Sequence, residues 1–215
     1  MRYSTLIKIS IAVAGLSACA PAITKGFRRA GAAAVAAQDL YPFWTPQRTH
    51  LFAMKIDFRE NHFSGLLLVK QTDTAHYRLV FNTHFGMGVF DFEFARDTFL
   101  VHSCLDLLHR KRVLRLLEKD FRTLLFLDVK PHGNAAAVYH SPADSSLEVN
   151  RIGGRYYLKN NAQKTLLKMD VPHRFSSGAY DFTSYHDHFP EMITVTHSRL
   201  GLQIALEKIR NTPNE

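Results

Sequence analysis

The chain has 215 residues, 46% hydrophobic and 21% charged, with 27 Lys and Arg against 19 Asp and Glu for a formal charge of +8. That apolar share excludes an intrinsically disordered chain, and the length suits one domain with a full core. Two cysteines exclude a scaffold built on disulfides, and the basic excess fits scattered solvated Lys and Arg or contact with anionic lipid headgroups.

The chain opens with Arg2 and Lys8, an apolar run over 6–14, and then Gly15-Leu16-Ser17-Ala18-Cys19. A basic start, an apolar stretch too short to span a bilayer and small residues at the cut predict a secretory signal over 1–18. Leu16-Ser17-Ala18-Cys19 resembles a bacterial lipobox. The resemblance implies that the Cys19 thiol takes diacylglycerol, that the peptide is cut before it, and that the new amine is acylated. One acyl chain gives marginal binding, and two or three hold a protein on the membrane. The alternative is an ordinary signal cut near Ala18 or Ala20. In bacterial lipoproteins an Asp after the Cys implies inner-membrane retention, so Ala20 implies the outer membrane, facing the periplasm. Residues 19–25 are expected to be a tether and 26–215 a single domain. No later segment is apolar over a spanning length.

Residues 27–40 carry Ala30, Ala32, Ala33, Ala34, Ala36 and Ala37, and propensity predicts a helix there, closed by Pro42 and Pro46. The period then changes to two. Phe52, Met54, Ile56 and Phe58 share one face of a strand over 50–58, and a second strand follows over 63–70. Tyr77, Leu79 and Phe81 share a face over 76–82, Phe90, Phe92 and Phe94 share one over 87–94, and 98–104 runs back. These five strands with short polar turns predict an antiparallel meander. Leu107, Leu114, Leu117, Phe121 and Leu124 then recur at helical spacing, with Arg112, Arg115, Lys119 and Arg122 opposite. Strands are predicted again at 135–140, 147–152, 155–159, 164–171, 178–185, 191–197 and 200–209, with Gly153-Gly154 as a hairpin turn.

The predicted fold is mainly β with α: an incomplete antiparallel β-barrel of about eleven or twelve strands, with one or two helices as plug or lid. Partial closure around a helix protects the two edges of such a meander. A sheet of that width encloses room for a ligand or a helix. The inward faces place Phe52, Met54, Ile56, Leu79, Phe81, Phe90 and Phe92, with Leu117 and Phe121 of the helix, around that interior. Sixteen phenylalanines suit an apolar cavity and a packed core alike.

Tyr77-Arg78-Leu79-Val80-Phe81-Asn82-Thr83-His84-Phe85-Gly86 with the alternating run 89–94, and Phe189-Pro190-Glu191-Met192-Ile193-Thr194-Val195 with 200–209, resemble segments of the outer-membrane lipoprotein receptor family LolB. There a Tyr-Arg-Leu strand leads to a Pro-Leu-Gly loop; this chain lacks the proline. LolB and its soluble partner LolA fold as an incomplete barrel with helices over an apolar cavity. The resemblance implies an apolar cavity that takes acyl chains of lipoproteins or phospholipid and delivers them to the outer membrane. It implies a soluble periplasmic LolA-like donor, and a monomer is expected. Phe85 matches an exposed loop residue that contacts the membrane; the alternative for Phe85 is a buried anchor. The rival reading of the whole chain is a ligand-free interaction module tethered at the envelope.

A third reading is a metal-dependent enzyme using His186 and His188. Residues two apart on a strand share a face, so both reach one ion. A third ligand is missing and Pro190 suggests a loop, so no metal, no cofactor and no enzyme activity is expected. Cys104 lies in an apolar stretch and is expected to be an inert thiol. No nucleophile elbow, phosphate-binding glycine loop or paired-cysteine motif occurs. The twelve histidines are dispersed, which fits surface positions. The export signal argues against nucleic acid as a partner.

Overall fold

A computed structural model describes residues 21–44, 49–73, 75–172 and 177–210. Cys19 and the signal segment lie outside the described residues. The strands are β1 (Arg28–Val35), β2 (Thr49–Phe58), β3 (Asn61–Asp73), β4 (His76–Thr83), β5 (Gly88–Phe94) and β6 (Phe99–Cys104). Helix α1 (Lys111–Leu124) follows. The remaining strands are β7 (Asn134–His140), β8 (Leu147–Ile152), β9 (Arg155–Asn160), β10 (Thr165–Val171), β11 (Gly178–His186), β12 (Phe189–His197) and β13 (Leu202–Lys208). They form one 13-stranded antiparallel sheet in the order β1-β7-β8-β9-β10-β11-β12-β13-β2-β3-β4-β5-β6. Strand β13 pairs with β2, so the two arms of the meander join mid-sheet. The edges β1 and β6 do not pair with each other, so the barrel is not closed. Among the described residues no helix is long and apolar enough to cross a membrane.

The alternating segments become strands where predicted, because period-2 alternation gives each one buried face. In β2, His50, Phe52, Met54 and Ile56 are buried while the residues between them are less so. In chain order α1 links β6, at one edge, to β7, next to the other edge. Its apolar stripe, Leu117, Phe121 and Leu124, is buried against the sheet. Its C-terminal end is tied: Trp44 Nε1 donates to Leu124 O at 2.6 Å, and Arg122 donates to Arg96 O at 2.7 Å and Thr98 O at 3.0 Å.

The alanine-rich segment is a correction. Residues 28–35 form a strand, not a helix, which raises the strand number to thirteen. Ala32, Ala33 and Ala34 pair with Ala137, Ala136 and Ala135 of β7. Helix propensity is a weak preference, and a short helix needs a bulky apolar face to dock. This segment offers only Val35, whereas β7 offers a ladder of unpaired backbone groups. Residues 28–34 are accordingly exposed, and hydrogen bonding rather than side-chain burial holds β1. A 3-10 turn (Ala37–Leu40) follows and buries Leu40. The stretch read as tether also docks: Ile23 is buried with Val149 and Tyr156.

Gly65 is required by close approach of backbones. A Cβ there would lie 2.0 Å from Asn82 O and 2.7 Å from Thr83 Cα. Gly65→Ala is expected to reduce stability by about 1–3 kcal/mol by forcing β3 and β4 apart, read as a lower urea midpoint. Gly88→Ala is the control, since its added Cβ meets only Asn82 Oδ1 at 3.6 Å. Equal midpoints for the two variants would show that the ladder relaxes freely.

Candidate functional site

The nine residues expected to line an acyl-binding cavity lie in the buried core. Phe52, Met54, Ile56, Leu79, Phe81, Phe90, Phe92, Leu117 and Phe121 are each 2% exposed or less and belong to one core cluster. Phe90 stacks on Phe92 with ring centroids 4.3 Å apart, and Phe121 meets Phe90 at 5.7 Å and Phe94 at 6.2 Å. The helix plug therefore packs its apolar side chains against the sheet in the interior.

A polar contact pins the plug, and sequence reasoning missed it. Asp120 of α1 is 1% exposed. Its Oδ1 accepts from Tyr180 Oη of β11 at 2.7 Å, and both carboxylate oxygens lie 2.9 Å from His197 Nε2 of β12. Burial and the neighbouring Asp120 carboxylate push the Tyr180 phenol well above its ordinary range, so it stays a donor. The available signal was an acid between Leu117 and Leu124 on the apolar stripe. A charge in that position is buried and needs partners.

The helix has little support of its own. Arg110 at its N-cap makes no side-chain bond, and the first turn holds no acid but two basic residues, Lys111 and Arg112. Cations at the positive end of the helix dipole disfavour the helix. Tertiary contacts keep α1 in place.

Phe85 is 99% exposed and Met87 52% exposed on the β4–β5 turn, so Phe85 is not a core anchor. Gly86, at φ 81°, supplies the left-handed residue of that turn. Leu105 N donates to Val89 O at 2.9 Å, which brings the start of the connection to α1 to the same sheet end as this turn.

His186 and His188 flank the tip of the β11–β12 hairpin, where Asp187 and His188 have φ of 46° and 62°. His186 Nε2 lies 3.4 Å from Asp187 Oδ2, and among the described residues no three His, Cys, Asp or Glu side chains are grouped around an ion position. Below this hairpin tip is a cleft of about 460 Å³ whose floor is Phe43, Trp44 and Phe189 and whose walls carry His50, Lys208 and Arg210. None of the nine interior residues lines it. Cys104 is partly exposed, and burial with Asp106 nearby pushes its thiol up to about 11, away from nucleophile behaviour. The histidines are not all isolated: His76 and His102 each lie 2.7 Å from a different oxygen of Glu93, and these contacts, that of His102 first, hold its carboxyl below the ordinary range.

No family model matches the chain, and no curated protein sequence matches it. Among solved structures, the chain is similar to a LolA superfamily protein from Nitrosomonas europaea, with TM-score 0.41 and 10% identity over 83% of this chain and 96% of that one. It is also similar to a domain named for outer membrane lipoprotein sorting from Vibrio parahaemolyticus, with TM-score 0.45 and 10% identity over 83% of this chain and 92% of that one.

Proposed function

We propose that the chain is an acyl-chain carrier of the bacterial envelope, anchored through Cys19, that accepts lipoprotein or phospholipid acyl chains and passes them to the outer membrane. The observation that carries this reading is the cover on the concave face. A single, poorly capped helix fills the half-barrel where a closed barrel or sandwich would have more sheet. Leu117 and Phe121 stand where an acyl chain would lie, and displacing α1 exposes an interior lined by Phe52, Phe81, Phe90 and Phe92. Apolar area removed from water contributes about 25 cal/mol per Å², so an acyl chain replaces helix side chains at small net change. Phe85 and Met87 are apolar side chains left in water, and they fit insertion into a bilayer at the moment of transfer. The filled interior also suits the second reading, a ligand-free tethered module.

The test uses a soluble form lacking residues 1–19. Native mass spectrometry and lipid extraction are expected to find acylated species bound, and the protein is expected to take up N-phenyl-1-naphthylamine, a neutral apolar fluorophore. A lipid-free protein that also leaves the fluorophore dark overturns the carrier reading in favour of the module. Phe85→Asp is expected to weaken sedimentation with phosphatidylglycerol vesicles several-fold at an unchanged melting temperature. Equal sedimentation removes Phe85 from membrane contact.

A further inference from the structure

The cleft under the β11–β12 hairpin has a chemistry that the carrier reading does not use. Its floor is aromatic and continuous with the core. Phe43 meets Phe182 at 5.4 Å and Phe189 at 5.2 Å, and Trp44 meets Phe52 at 6.1 Å. His50 stacks on Phe189 at 4.8 Å and 15°. Above these rings sits a cation. Lys208 Nζ lies 5.0 Å from the Phe52 ring centre and 5.2 Å from that of Phe189. It donates to His50 Nδ1 at 3.1 Å. Among the described residues no carboxylate is paired with Lys208, and an ammonium has three donors, so two remain for a ligand. Burial lowers the Lys208 pKa, the mark of a charge held away from water without a counter-ion.

The rim carries both signs. Arg210 is bound to Glu191, which leaves that carboxylate neutralised, and Asp187 stands nearly fully exposed at the hairpin tip with His186 beside it. Ser184, Asp187 and His188 all hold left-handed backbone at φ 56°, 46° and 62°, a conformation that glycine would adopt without strain. Asp187 and His188 are the two central residues of the β11–β12 turn, and this tight turn sets His186 and His188 at the cleft rim.

We propose that this cleft binds the phosphate of an anionic amphiphile on Lys208, which His50 holds in place, with Arg210 at the rim and the amphiphile's apolar part lying on Phe43, Trp44 and Phe189. The tail's further course rests on the carrier reading, and the phosphate site rests on the cleft alone. Trp44 also donates to the last turn of α1, so a tail that moves the indole disturbs the C-terminal fastening of the plug. A cation over an aromatic floor selects an anion joined to an apolar body, and a free phosphate has no use for the floor.

Trp44 is the chain's single tryptophan, so its emission reports the site directly. The full chain without residues 1–19 is titrated with dihexanoyl phosphatidylglycerol, dihexanoyl phosphatidylcholine and inorganic phosphate. The expected result is saturable change with phosphatidylglycerol, at least tenfold weaker binding of phosphatidylcholine, and no comparable binding of phosphate. Lys208→Met keeps the apolar stem and is expected to bring phosphatidylglycerol to the level of phosphatidylcholine. Should that variant misfold, Lys208→Gln is expected to weaken phosphatidylglycerol in the same direction. Equal binding of the two lipids, or full phosphatidylglycerol binding by a folded Lys208→Met, overturns the proposal. Phosphate binding as tightly as phosphatidylglycerol makes the cleft a free-anion site and also overturns it. Charge-dependent phosphatidylglycerol binding without fluorophore uptake keeps this site and removes the carrier reading.

Discussion

Asp120→Ala is expected to lower the free energy of unfolding by about 2–5 kcal/mol, because it removes the carboxylate that the buried Tyr180 Oη and His197 Nε2 both meet. Tyr180 and His197 are 1% and 2% exposed, so neither turns to water when the carboxylate goes. The Tyr180 hydroxyl loses its carboxylate acceptor, at a cost of about 1–3 kcal/mol. Asp120→Asn keeps an acceptor for Tyr180 and is expected to lose less. A double-mutant cycle with Tyr180→Phe separates the Tyr180 share from the His197 share. The loss is not expected to be uniform. Residues Asp120, Tyr180 and His197 join α1 to β11 and β12, so amide exchange is expected to speed up in α1 before it does in β2, β3 and β13. If the latch holds a lid, Asp120→Ala also raises fluorophore uptake under conditions where the sheet stays folded. A loss below about 1 kcal/mol would show that the contact orients α1 without holding it.

The strands were legible because alternation is a one-dimensional signal of a buried face. Phe52, Met54 and Ile56, or Leu202, Ile204 and Leu206, can be assigned to a side with no knowledge of the neighbouring strand. The register, and which two strands form the open edges, were not legible, since they depend on which strands find each other. Strand β1 shows the limit. Its alanines carry a helical preference of tenths of a kcal/mol each, while pairing with β7 satisfies a row of backbone groups that no sequence window contains. The candidate site divides in the same way. The greasy faces and a helix as plug or lid were visible, but the contacts that fasten that helix were not. Asp120, Tyr180 and His197 are separated by 60 and 77 residues. A side chain's partner over such distances is set by the fold. The cleft likewise joins Trp44 and His50 to Phe189 and Lys208 far along the chain, His50 and Lys208 being 158 residues apart. His186 and His188 attracted notice by spacing, and the structure gives them a place at a rim with no third ligand for an ion.

Phe121→Ala is expected to cost about 3–5 kcal/mol, the usual range for removing a buried aromatic ring. Its ring lies against Phe90 and Phe94 on the sheet, so the deletion opens a void between α1 and β5. A void lined by aromatic and aliphatic side chains stays dry and accepts small apolar molecules. Benzene is therefore expected to raise the melting temperature of the variant and to leave the parent protein unchanged. Leu100→Ala, an exposed change on β6, is the control and is expected to stay within about 0.5 kcal/mol of the parent. The size of the accepted ligand then distinguishes the two readings of the fold. In a rigid packed module the void is limited to the missing ring, so benzene binds and a long acyl probe does not. In a carrier, α1 is a movable stand-in for cargo, so trimming Phe121 lowers the work of displacing it and long-chain uptake rises together with benzene binding. A variant that takes benzene but refuses an acyl chain would mean that α1 is a permanent part of the core.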